Sequence, residues 1–180
     1  MKDLSLHILD IAQNSISAGA ANISIRIDEN VAKDTFSIEI EDDGCGMDEQ
    51  TVQKVTDPYF TSRTTRKVGL GLPLFKQNAE MSGGSFIIES QPGKGTIVRA
   101  VFGHSHFDRP PLGDIAGVVM ILVGSNPQLD FIYLHKTGKG EYEFDTRQIK
   151  EILEDMPLNN PAVIRQLKEM IIENLKDLYD

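Results

Sequence analysis

The stretch FSIEIEDDGCGMD, residues 36–48, decides how this chain folds. Phe36, Ile38 and Ile40 alternate with polar residues, which is the period of a half-buried strand. That strand runs straight into Glu41-Asp42-Asp43-Gly44-Cys45-Gly46-Met47-Asp48, an acidic turn whose glycines let backbone approach closely. Before it, Ile23 and Ile25 show the same alternation, separated from Phe36 by a loop around 28–34. Earlier still, residues 3–18 contain no Gly or Pro, and Leu4, Leu6, Ile8, Leu9, Ile11, Ala12 and Ile16 nearly encircle a helix. The polar residues Asp3, His7, Asp10, Asn14 and Ser17 step by four, three, four and three, so they share one narrow stripe. A buried helix cannot leave carboxylates and amides unpartnered, and the stripe therefore lines a polar cavity or a packed polar network.

Downstream of the turn, Asp48 is placed to cap a short helix running through Val55. A polar loop, residues 57–67, carries Arg63, Arg66 and Lys67 and feeds Gly69-Leu70-Gly71-Leu72-Pro73. Pro73 suits the first turn of a helix that reaches Met81. Gly83-Gly84 turns the chain into a hairpin with strands Phe86–Glu89 and Ile97–Phe102 around the turn 91–96. Residues 103–113 read as a linker. Beyond it, Val118–Val123 and Leu129–Leu134 have strand character, Glu141–Phe144 weaker strand character, and Thr146–Leu153 and Pro161–Tyr179 helical character. The last of these is amphipathic, so it covers its own sheet or forms a dimer or partner interface. The expected division is 1–103 and 114–180.

With 180 residues the chain can hold a sizeable core without disulfide or metal support. Eighteen basic residues against 27 acidic ones give a net charge of −9, which argues against a coat for nucleic acid. A single cysteine, Cys45, excludes an internal disulfide and a multi-cysteine zinc site. No run of 18 apolar residues suggests a membrane span, and the N-terminus lacks a signal peptide's pattern, so a cytoplasmic protein is expected.

Taken singly, Asp42-x-Gly44-x-Gly46 and Gly69-x-Gly71 are weak signals, and neither is a dinucleotide or Walker glycine motif. Their order is more specific: a helix with Asp10 and Asn14, a strand ending in Asp-x-Gly-x-Gly, a basic loop, Gly-Leu-Gly-Leu opening a helix, and a hairpin closing on Gly95-Thr96. This arrangement resembles the GHKL superfamily of gyrase, Hsp-type chaperones, histidine kinases and mismatch-repair ATPases. Gln13–Ala20 is similar to the mismatch-repair form of its first motif; Asp57–Thr61, Gly69–Pro73 and Gly93–Thr96 are similar to the histidine-kinase form. The resemblance covers residues 4–102. It implies an α/β (α+β) two-layer sandwich, with a mixed sheet covered on one face by helices, followed here by a C-terminal α+β extension.

The resemblance implies ATP and Mg²⁺ as ligands. Asn14 would give its amide oxygen to Mg²⁺, which prefers oxygen donors. Asp42 would accept from the adenine amine, with Gly44 and Gly46 leaving room for the base and Thr96 completing its recognition. Gly69, Leu70, Gly71 and Leu72 would offer backbone N–H groups to phosphates at a helix N-terminus, and Arg63, Arg66 or Lys67 would add charge. Met47 and Ile87 read as pocket walls or as ordinary core. Asp10 stands where the hydrolysing members of the superfamily carry a glutamate, and its reach is shorter by about 1.5 Å. It is read as the catalytic carboxylate, either activating water or holding it. Only two residues precede the cap of the first helix, so a phosphoacceptor domain upstream is not expected. The function implied is a kinase acting on a separate partner protein; the alternatives are a slow ATPase switch and an anti-sigma-like binding module.

Overall fold

The computed structural model describes residues 3–59 and 71–180. Helix α1 (Leu4–Ser17) starts at Asp3, whose carboxylate accepts from the Leu6 N–H, and it buries Leu4, Ile8, Ile11 and Ala12. Strands β1 (Asn22–Asn30) and β2 (Thr35–Asp42) follow, then the short helix α2 (Glu49–Val55), capped by Asp48. Helix α3 (Gly71–Met81), strand β3 (Ser85–Gln91) and strand β4 (Gly95–Gly103) complete the first half. The second half consists of α4 (Ile115–Ser125), β5 (Asp130–Thr137), β6 (Gly140–Asp145), α5 (Thr146–Leu153) and α6 (Pro161–Tyr179).

All six strands form one sheet in the order β3-β4-β2-β1-β5-β6. The β1–β5 pair is parallel and the others are antiparallel, so the sheet is mixed. Strand periodicity sends Ile23, Ile25, Ile27, Phe36, Ile38, Ile40, Val98, Ala100, Phe102, Phe131 and Tyr133 to one face, where α1, α3, α4 and α6 cover them. The other face carries polar residues. There Glu39 bridges Arg26 at 2.7 Å and Arg99 at 2.5 Å, cross-strand ion pairs that contribute little because they are wet. The result is a two-layer α+β sandwich. Strands β5 and β6 extend the same sheet beyond β1, and α4 continues the helical layer beside α1.

One element departs from expectation. Residues 118–123 belong to helix α4, not to a strand. The run Val-Val-Met-Ile-Leu-Val has strand propensity, but that preference is worth only about 1 kcal/mol per residue at most. Burying Ile115, Val118, Val119, Met120, Leu122 and Val123 is worth about 1.5–3 kcal/mol each. Asp114 starts the helix by accepting from the Gly117 N–H at 2.9 Å. A helix buried on nearly every side, between α1 and α6, shows no polar face to betray its period. Among the described residues, no helix is long and apolar enough to cross a membrane.

Candidate functional site

The end of β2, the start of β4 and the last turns of α1 meet at one edge of the sandwich. Asp42 and Thr96 are paired across the β2–β4 ladder, so their side chains emerge side by side. Asn14 and Ser15 approach from α1. Together with Ile11, Met47, Val55, Leu72, Ile88 and Val98 they line a cavity of about 160 Å³. That is about five water volumes, the scale of a heterocyclic base and too small for a whole nucleotide. The walls are apolar and a few polar groups converge, the pattern of a small-molecule site.

Both oxygens of Asp42 are held. Ser15 Oγ donates to Oδ2 at 2.5 Å and the Gly44 N–H donates to Oδ1 at 2.9 Å. Gly46 also lines the cavity; its φ is +70°, and a Cβ there would collide with the Gln91 carbonyl. Only glycine closes this contact between the acidic turn and the β3–β4 hairpin. The Gly93 N–H reinforces it by donating to the Cys45 carbonyl at 2.7 Å.

Asp10 lies one helical turn before Asn14, outside the cavity wall. Its carboxylate sits against Gly71, where a Cβ would overlap Oδ2. It thereby faces the start of α3, whose first N–H groups have no intrahelical partner. Burial raises the Asp10 carboxyl above the ordinary aspartate value. Gly71 and Leu72 are the first two residues of α3, and Leu72 also contributes to the cavity. Gly69 and Leu70, like Arg63, Arg66 and Lys67, lie outside the described residues.

The polar stripe of α1 therefore has several surroundings along its length. Asp3 caps the helix, His7 is buried beside Phe75 with ring centroids 5.5 Å apart, Asp10 meets α3, and Asn14 and Ser17 reach the cavity. Met47 is a cavity wall. Ile87 is not: it is 46% exposed on the polar face of the sheet, and Ile88 takes the inward position. Pairing of Ile88 with the buried Val98 sets that parity. Ser15 and Ser90 went unread in the sequence. A serine at position 15, on the apolar side of an otherwise hydrophobic helix, was the available sign that something polar waits across from it.

Residues 2–105, more than half of the chain, match the family described as histidine kinase-, DNA gyrase B- and HSP90-like ATPases. The chain belongs to this family. It is a GHKL-type ATP-binding domain. It is 33% identical over 107 residues to the sensor histidine kinase YxdK of Bacillus subtilis, covering 56% of this chain and 33% of that protein. With the signal transduction histidine-protein kinase AtoS of Escherichia coli it shares 36% identity over 89 residues, 49% of this chain and 14% of that one. The chain thus spans a third or less of the length of these curated relatives. The crystal structure of the N-terminal domain of a DNA repair protein superposes on 93% of this chain and 56% of its own, with a TM-score of 0.54 and 18% identity. That likeness extends through the second half of the chain and concerns the fold alone.

Proposed function

We propose that the chain is a cytoplasmic, histidine kinase-like protein that binds Mg-ATP in the cavity between α1, β2 and β4 and phosphorylates or regulates a separate partner protein. The observation that carries this reading is that Asn14, Asp42 and Thr96, far apart in sequence, line one base-sized cavity beside the start of α3. Asp42, already oriented by Ser15 and Gly44, accepts from the exocyclic amine of adenine, and Thr96 adds a second polar contact to the base. The phosphates leave the cavity toward Gly71 and Leu72, with Gly69, Leu70, Arg63 and Lys67 completing their cradle.

Asn14 holds Mg²⁺ through its amide oxygen. No cluster of three or more His, Cys, Asp or Glu among the described residues could hold a metal. A single protein oxygen with phosphates and waters for the rest suits Mg²⁺. The ion supplies charge neutralisation to the phosphate oxygens. Phosphoryl transfer needs chiefly positioning and electrostatics, which these groups provide. We assign residues 1–103 to the ATP module and 114–180 to an extension through which the partner, or a second copy of the chain, is engaged.

A slow ATPase switch is the second reading. It is favoured by Asp10, whose desolvated carboxylate beside Gly71 lies on the phosphate side of Asn14. A base with a raised pKa takes a proton from water more readily. Incubation with γ-labelled ATP and the products of neighbouring genes separates the two. Label on a second protein, lost in Asn14→Ala, is the expected result. Inorganic phosphate released with no protein labelled overturns the kinase reading in favour of the ATPase.

A further inference from the structure

Ser90 lies on β3, behind the cavity wall, and gathers three hydrogen bonds at one oxygen. The Met47 N–H reaches its Oγ at 2.8 Å, its Oγ lies 3.0 Å from the Gly95 carbonyl, and 2.8 Å separates it from Thr96 Oγ1. A serine hydroxyl has one proton and two lone pairs. Met47 takes one lone pair. If the proton goes to the Gly95 carbonyl, the remaining lone pair must be filled by the Thr96 hydroxyl. That is the arrangement in which all three bonds exist at once. If Ser90 instead gave its proton to Thr96, the bond to Gly95 would be lost inside a partly buried junction.

The consequence falls on the cavity. Thr96 faces it beside Asp42, its partner across the β2–β4 ladder. With its own proton committed to Ser90, Thr96 can only accept. Asp42 likewise presents a carboxylate, one oxygen of which takes the Ser15 hydroxyl. Two neighbouring acceptors suit the 6-amino group of adenine, which carries two N–H donors. They leave the 6-oxo group of hypoxanthine or guanine facing lone pairs. A site built to bond one polar group rejects an analogue that leaves its own groups unpaired.

We infer that Ser90 is a positioning residue which fixes the proton of the Thr96 hydroxyl and so sets the preference for a 6-aminopurine over a 6-oxopurine. This rests on the proposal that the cavity holds the base of ATP. Without the Ser90 oxygen, Thr96 is free to turn its proton into the cavity and donate to a 6-oxo group.

The test is titration calorimetry of the whole chain with Mg-ATP and with inosine triphosphate, which differs at the 6-position and N1. Wild type is expected to favour ATP. In Ser90→Ala the ATP-to-inosine-triphosphate affinity ratio narrows about fivefold, the worth of one neutral hydrogen bond, and Ser90→Thr restores it. Equal weakening of both nucleotides in Ser90→Ala means a structural role and overturns the inference, as does a wild type that binds both alike. A wild type that binds neither overturns the ATP reading itself. Should Ser90→Ala not fold, Ser90→Cys, close in shape but a poor acceptor, carries the same expectation; an unchanged ratio there overturns it equally.

Discussion

His7 and Asp10, three residues apart on the polar stripe of α1, are displaced in opposite directions by burial. The His7 imidazole is fully buried, and burial lowers its pKa to about 4. Asn78 donates to its Nε2 at 3.0 Å, so the ring proton sits on Nδ1, which has no partner among the described residues. The unfolded chain takes up this proton near pH 6.5. Stability from neutral His7 is therefore whole above that pH and falls as pH drops through the folded value, by up to about 3 kcal/mol. An NMR titration should place the His7 midpoint near 4; a midpoint in the ordinary range near 6.5 contradicts the burial argument. For Asp10 the raised pKa reverses the sense. Its contribution is complete below the ordinary aspartate value and is lost as pH rises through the folded one. At neutral pH the ionised carboxylate is a cost. Asp10→Asn should raise the melting temperature at pH 7, lose that gain in acid, and abolish phosphoryl transfer or hydrolysis. A lower melting temperature at pH 7 counts against it. Stability gained with activity lost is the mark of a group kept for chemistry.

Helix α6 is tied to the first half of the chain by one hydrogen-bond relay. Tyr133 Oη lies 2.7 Å from His135 Nδ1, Tyr179 Oη lies 3.1 Å from His135 Nε2, and the Tyr179 hydroxyl donates to Glu29 at 3.2 Å. One proton arrangement satisfies every member: Tyr133 donates to His135, His135 to Tyr179, and Tyr179 to Glu29. Burial pulls Glu29 upward, but the neighbouring His135 ring and the hydrogen bond from Tyr179 outweigh it and leave its carboxyl below the ordinary value. Tyr179→Phe strands Glu29 and should cost about 1–3 kcal/mol in urea unfolding; a loss below about 0.3 kcal/mol would show that the relay does not hold the helix. The amphipathic spacing of α6 was readable in the sequence from Pro161 to Tyr179, and so were β1, β2 and the hairpin, because each has one buried face, and α1, because a narrow polar stripe marks its period. Helix α4 was not, because a helix apolar on nearly every side has no period to read. The site shows the same division. Asp42, Gly46 and Thr96 stand in a recognisable order, whereas Ser15 acts through a partner 27 positions away, and Ser90 joins its own hairpin partners Gly95 and Thr96 to Met47, 43 positions away.

Across the whole molecule, the parallel β1–β5 pairing makes the second half of the chain part of the sheet that positions the site. Strand β1 pairs on one side with β2, which ends at Asp42, and on the other with β5. Helix α1, which carries Asp10 and Asn14, packs against α4. A partner that engages the second half therefore touches elements one step from the cavity. Charge is divided as well: against a net of −9, Arg26 and Arg99 on the polar face of the sheet are both paired with Glu39. The central claim, that the cavity at Asn14, Asp42 and Thr96 takes Mg-ATP, is tested most directly by the melting temperature with and without nucleotide. At one hundred times the dissociation constant, binding to the folded state alone adds about 2.7 kcal/mol, which for a chain of this size is a rise of about 5–10 °C. Wild type should show that rise and Asp42→Ala should not; an unchanged wild-type melting temperature at saturating Mg-ATP would contradict the account.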